Sequence, residues 1–258
     1  MRILLTNDDG IHAEGLAVAE RMISRLGDHE LWVVAPANEK SGVGHCISYT
    51  QPVRTERLGD RRVAVDGNPA DCVLVALYDV MDDRPDLVIS GINRGNNSAE
   101  NTLYSGTVGA AIEATLQDCR AVALSQFFGP ANRELENTFE AAEEHGAAVI
   151  AKLLEDGAWP KGPYGAFYNI NFPPCPAAAV KGAKATVQGR RDGTRFRATR
   201  EEAPNRRTYH WIHGGPQDVP SQEGGDAAAN LDGWISVTPS RADMTAHDMV
   251  GGLAARLA

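Results

Sequence analysis

Short apolar runs and amphipathic stretches alternate through the first half of the chain. Residues 2–6 form an apolar run that ends in polar turn residues, and residues 16–26 then carry apolar side chains at helical spacing until Gly27 stops them. Residues 31–35 read as a second buried strand, closed by Pro36. This β-α-β order predicts two parallel strands joined by a crossover helix, so both strands open their C-terminal ends on one edge. That edge is where open α/β sheets place their sites.

Further along, residues 53–57 and 62–65 predict a hairpin around 58–61, and a helix starts at Pro69 and runs to about Val80. Residues 86–90 are a third core strand, followed by a Gly- and Asn-rich loop over 91–97. A helix over 106–117, a strand over 121–125 and a long helix within 137–154 complete a doubly wound pattern. Beyond Pro160 the pattern changes. Residues 167–172 are a strand ended by Pro173 and Pro174, while 184–213 alternate polar segments rich in Arg and Thr, as exposed hairpins of an appendage or oligomer arm would. A polar loop over 214–225, a last strand over 233–238 and a terminal helix over 246–257 follow. No internal repeat is evident.

A chain of 258 residues suits one large α/β domain or two small ones, and with 43% apolar and 23% charged residues it has the composition of a folded globular enzyme. The net charge of −9 argues against broad gripping of a nucleic-acid backbone, although a metal or a local Arg can still draw a small anion into one cleft. Cys46, Cys72, Cys119 and Cys175 form no Cys-x-x-Cys pair and are expected to be free thiols in a reducing compartment. No leader pattern and no apolar run of roughly 18 residues appears, so a cytoplasmic protein without a membrane partner is expected.

The chemistry gathers at the predicted strand ends. Adjacent side chains on a strand point to opposite faces, so Asp8 and Asp9 meet on one ion only if the chain has left the strand, and Gly10 allows that turn. Two carboxylates at a sheet edge repel one another unless a cation lies there. The same residues also suit an Asx turn or a helix N-cap. The loop after the second strand brings Ser41, a neutral oxygen, and glycines such as Gly42 whose N–H groups can approach an anion, though such a loop is equally an ordinary turn and His45 in it reads as structural. The third strand delivers Asn93 to the same edge. Carboxylate, hydroxyl and amide oxygens suit Mg²⁺ or Mn²⁺, and the lack of His or Cys makes a poor zinc site.

Ser105, Gly106 and Thr107 open a helix whose N-terminus offers unpaired N–H donors and positive partial charge. Together with Arg94 they suit a phosphate dianion; they also suit an ordinary Ser or Thr cap. Asn7, Gly42 and Asn97, beside these turns, complete the expected phosphate and substrate contacts.

Six stretches in this order resemble the SurE family, survival proteins described as 5'/3'-nucleotidases. They are residues 1–10 (MRILLTNDDG), 33–48 (VVAPANEKSGVGHCIS), 67–72 (GNPADC), 86–97 (DLVISGINRGNN), 104–111 (YSGTVGAA) and 233–239 (GWISVTP). The resemblance implies a three-layer α/β/α, Rossmann-like fold with a mainly parallel sheet. It implies a single domain over 1–258, with a protruding hairpin region over about 184–213 and a tail over about 239–258 used in oligomerisation as a homodimer or homotetramer. It also implies one divalent ion per subunit, Mg²⁺ or Mn²⁺, held at Asp8, Asp9, Ser41 and Asn93. The implied activity is hydrolysis of nucleoside 5'-monophosphates, with 3'-monophosphates and short polyphosphate as further substrates. His210 stands where a second Tyr is usual, and Ser98, Ala99 and Glu100 stand where Gly is frequent, which bears on substrate preference and assembly.

Two mechanisms suit these residues: attack by water that Asp9 orients, or an aspartyl-phosphate on Asp8. A nucleotide-binding module without catalysis is the competing class. The G-x-G-x-x-G fingerprint of dinucleotide sites is absent after the first strand, where Asn7-Asp8-Asp9-Gly10 stands.

Overall fold

The computed structural model describes residues 1–162, 164–193 and 196–258. Its first unit is β1 (Arg2–Thr6), α1 (Glu14–Ser24) and β2 (Glu30–Pro36), followed by the antiparallel pair β3 (Thr55–Gly59) and β4 (Arg62–Val65) and by helix α2 (Pro69–Val75). Then come β5 (Leu87–Arg94), α3 (Gly106–Leu116), β6 (Ala121–Gln126), the short α4 (Pro130–Arg133), α5 (Glu140–Asp156) and β7 (Phe167–Phe172). The last part holds β8 (Ala183–Ala185), the hairpin β9 (Arg197–Glu202) and β10 (Thr208–His213), α6 (Asp226–Leu231), β11 (Ile235–Ser240) and α7 (His247–Leu257).

Among the described residues nine strands form one sheet in the order β3-β4-β2-β1-β5-β6-β7-β11-β8. From β4 through β7 neighbours run parallel, and β11 lies antiparallel to β7. The order reverses at β1: the chain first builds outward through β2 and β4, then resumes on the other side at β5. A crevice opens where crossover helices leave for opposite faces, and here it lies between the C-terminal ends of β1 and β5.

Alternation along β1 explains the layers. Ile3 and Leu5 join a core beneath α1 and α5 with Leu16, Met22, Phe139 and Ile150, while Leu4 joins a second core beneath α2 and α3 with Cys72, Val73, Val108 and Ala111. Strands buried on both faces read as nearly continuous apolar runs, as β1, β2 and β6 do. The fold is thus the α/β architecture with a mostly parallel sheet that the pattern predicted, and the exposed hairpin is present.

Four expectations shift in detail. The predicted loop over 91–97 is strand as far as Arg94, because after an irregularity between Ser90 and Asn93 the chain pairs again with Ser125 and Gln126 of β6. The predicted helix from Pro69 to Val80 changes at Ala76 into a wider π-helical turn. The long helix begins only at Glu140, since Asn137 accepts the Phe139 N–H and shapes the turn before it. Within the segment expected to be all hairpin, Ala183–Ala185 instead pairs with β11 at the edge of the main sheet.

Candidate active site

At the end of β1 the Asn7 amide clasps Gly10 from both sides, donating Nδ2 to its carbonyl at 2.9 Å and accepting its N–H at 3.2 Å. Gly10 closes this turn at φ +104°, a conformation that side chains disfavour. The turn resolves the strand problem posed by neighbouring aspartates. Asp8 points inward and is 3% exposed, while Asp9 lies half-buried toward β5.

Both oxygens of Asp8 face the first turn of α3. Thr107 Oγ1 donates to Oδ1 at 2.7 Å and the Thr107 N–H donates to Oδ2 at 3.1 Å. Gly106 lies so close that a Cβ there would stand 2.9 Å from the Asp8 Cβ. Burial is the main cause that pushes the Asp8 carboxyl up to about 6; the charge of Asp9 adds to it and the Thr107 donors oppose it. Burial also raises Asp9, reinforced by the charge of Glu39 and opposed by the Arg94 N–H, which reaches Oδ2 at 3.0 Å.

The second loop is sewn to this turn through the Lys40 N–H, 2.7 Å from the Asp8 carbonyl, and the Ile11 N–H, 2.8 Å from the Pro36 carbonyl. Ser41 is exposed here and donates its hydroxyl to Glu39 at 2.7 Å, which keeps a lone pair available. Gly42 stands at an exposed point with φ +76° and open space around it. Asn93 arrives from β5, and its Nδ2 donates to the Gly95 carbonyl at 2.9 Å, turning its oxygen the other way. The Arg94 guanidinium lies 5.6 Å from the Phe128 ring centroid.

Asn97 belongs to a buried frame behind the site. Its Nδ2 donates to Ser125 Oγ at 2.8 Å and to Thr107 Oγ1 at 3.3 Å, while its own N–H and carbonyl engage Asn171 and Asn169. Asn97 therefore reaches Asp8 through Thr107. Ser105 caps α3, accepting the Val108 N–H at 3.0 Å, so its hydroxyl proton and the first N–H of the helix remain for a ligand. Asn7 and Asn97, expected at the substrate, are thus engaged with the frame, and both Thr107 donors are directed to Asp8.

Some supporting residues were not expected. Asn169 and Asn171 hold the segment around Asn97, and the signal was in the sequence: two Asn at alternate positions of the buried strand FYNINF. Glu39 adds a third carboxylate beside Asp9, visible only once the loop folds back. His45 has a structural contact, 2.7 Å from Glu113, whose carboxyl is kept low by His45 and Gln117 against the opposing effect of burial.

The donors fit a hard divalent cation. Asp8 is a buried carboxylate whose protein partners are neutral donors, and Asp9, Ser41 and Asn93 add oxygens of the same type. Among the described residues no three His, Cys, Asp or Glu form a metal-binding group.

The profile of the family described as "Survival protein SurE" matches residues 3–195. The chain is 56% identical over 260 residues to the 5'-nucleotidase SurE of Ruegeria pomeroyi, covering 100% of both proteins. It is 58% identical over 258 residues to the 5'-nucleotidase SurE of a Ruegeria species, covering 99% of each. Among solved structures, the SurE protein from Aquifex aeolicus aligns with a TM-score of 0.82 at 31% identity, over 100% of both chains. Likeness in sequence and in fold along the whole length makes this chain a member of the SurE family.

Proposed function

We propose that the protein is a phosphoric monoester hydrolase that converts nucleoside 5'-monophosphates to nucleoside and phosphate with the help of a divalent ion. The observation that carries this reading is the acidic turn at the switch point of the sheet, where buried Asp8 is pressed against the N-terminus of α3 with Asp9 beside it. The relatives named as 5'-nucleotidases support the substrate class.

Asp8, Asp9, Ser41 and Asn93 would hold Mg²⁺ or Mn²⁺. Such an ion, when bound, supplies Lewis-acid stabilisation of charge on a phosphoryl oxygen. Thr107 fixes the Asp8 carboxylate through both of its donors. The free N–H at the start of α3 and the Ser105 hydroxyl take the growing charge on the transferring group, helped by the positive end of the helix. Asp9, more open than Asp8, orients the attacking water. Both Asp8 oxygens already accept hydrogen bonds, which favours water over Asp8 as nucleophile; trapping a phospho-enzyme on Asp8 during turnover would overturn this choice, and its absence with full phosphate release supports it.

On the same reading, 3'-monophosphates and short polyphosphate are further substrates, and the protein works as a homodimer or homotetramer through its hairpin and tail. Among the described residues no helix is long and apolar enough to cross a membrane. The deciding experiment measures phosphate release from AMP with Mg²⁺ or Mn²⁺, before and after Asp8→Asn. Release that requires metal and is lost in the variant supports the reading; no release from any nucleoside monophosphate rejects it.

A further inference from the structure

A cleft of about 590 Å³, bounded by Glu100, Tyr104, Arg190, Arg191, Asp192 and Phe196, opens beside the start of α3. Chain connectivity places it close to the acidic turn. Tyr104 ends the 3₁₀ turn Ala99–Tyr104, and the next residue, Ser105, caps α3. Only Ser105 and Gly106 separate Tyr104 from Thr107, a span of at most about 11 Å between α-carbons. The cleft therefore lies within a nucleotide's reach of Asp8.

Its wall is built into the same frame. Arg191 is 4% exposed, and its Nη1 donates to the Ser98 carbonyl at 2.9 Å and to Glu100 Oε1 at 3.2 Å. Its Nη2 donates to Asn96 Oδ1 and to Ser98 Oγ. Between Asn96 and Ser98 stands Asn97, the residue that holds Thr107. The wall of the cleft and the support of Asp8 thus come from one continuous segment.

Two observations indicate what the cleft takes. The rings of Tyr104 and Phe196 meet edge to face, with centroids 5.0 Å apart, yet remain 47% and 50% exposed and belong to neither core. Half-exposed rings held in a fixed mutual orientation offer a face to a flat π-system. The second is Arg191 Nε, an N–H donor on a side chain fully buried behind the cleft wall, which lacks a hydrogen-bond partner among the described residues and is costly to leave so.

We propose that this cleft is the nucleobase seat, where the base of a nucleoside monophosphate stacks on the Tyr104–Phe196 pair while its phosphate lies beside the acidic turn, at the Ser105 end of α3. The assignment rests on the nucleotide reading above and adds the half of the substrate that the acidic turn does not touch. Every base has a π-face, so a stacking seat accepts purines and pyrimidines alike.

The test compares AMP with ribose 5-phosphate, which keeps sugar and phosphate but lacks the base. The kcat/KM for each is measured with Mn²⁺ for the native protein, Tyr104→Leu and Phe196→Leu. Stacking contributes about 1–3 kcal/mol per base, so the preference for AMP over ribose 5-phosphate should fall about tenfold. A fall of at least roughly threefold in either variant supports the seat, and a smaller change in both overturns it. If the native protein hydrolyses neither compound, the phosphatase reading has failed, and calorimetric AMP binding decides the seat separately. Weaker binding in the variants supports it; unchanged binding, or none to the native protein, overturns it.

Discussion

The acidic edge of the sheet and the exposed hairpin with its terminal helix use polarity in opposite ways. At the edge, Asn7, Asp8, Asn97, Ser105 and Thr107 are polar and buried, each held by hydrogen bonds within the chain. In β9 and β10 every residue is exposed, and α7 buries none, yet these elements carry Tyr209, Trp211, Ile212, Met249, Val250, Leu253 and Leu257. Burying polar groups is costly unless each is paired, so the first region spends stability on position. Exposing a run of large apolar groups is a mark of surface destined for contact. One region is held together by its own chain, and the other exposes the apolar surface that the proposed homo-oligomer would bury.

The largest effect that tests this contrast is on catalysis. Asp8→Asn should lower phosphate release from AMP by on the order of 10²–10³-fold, the scale of losing one electrostatic partner of a transition state, whereas Trp211→Ser should leave turnover per subunit within about threefold; a phosphate assay at saturating metal measures both.

The next effect is on stability and has a definite sign. The metal-free folded protein holds the Asp8 proton up to about 6, above the ordinary carboxylate value, so it binds more protons than the unfolded chain in between. Stability should then fall by about 3 kcal/mol as pH rises from about 4 to about 6 and level off above. Urea unfolding in chelator across that range measures the slope, and Asp8→Asn should remove most of it, leaving the smaller slope of the same sign that the raised Asp9 carboxyl supplies. A slope left undiminished by the substitution would mean that other groups cause it.

Smaller still is packing. Gly106→Ala puts a methyl group 2.9 Å from the Asp8 Cβ and 3.1 Å from Pro69 Cγ, so it should destabilise by about 1–3 kcal/mol in urea and reduce activity as well. Smallest is the hairpin: Trp211→Ser should change unfolding of the isolated chain by less than about 0.5 kcal/mol. It should nonetheless lower the associated mass in sedimentation. A large unfolding effect without a change of mass would assign Trp211 to the chain's own core and erase the contrast.

Much of the first region was legible because a short apolar run, one helical periodicity and a turn residue determine it. The continuous apolar run of β1, the helical spacing of α1 and Gly10 bring Asp8 and Asp9 to the sheet edge before any tertiary contact is known. What escaped depended on pairing or distant contact. Asn93 and Arg94 looked like loop because glycine and asparagine have poor strand propensity, yet pairing with β6 holds them extended. Ala183–Ala185 is too short and too exposed to carry an alternation. Arg191 and the Asn169–Asn171 pair gain their roles from partners 72 to 95 positions away, beyond any local pattern.

The Thr107 hydroxyl, buried with a donor behind it and a carboxylate ahead, also offers a spectroscopic handle. A hydroxyl proton so enclosed should exchange with solvent slowly enough to give its own nuclear magnetic resonance. Its chemical shift would follow the charge on Asp8, making one threonine proton a native reporter of ligand arrival that needs no label on the substrate.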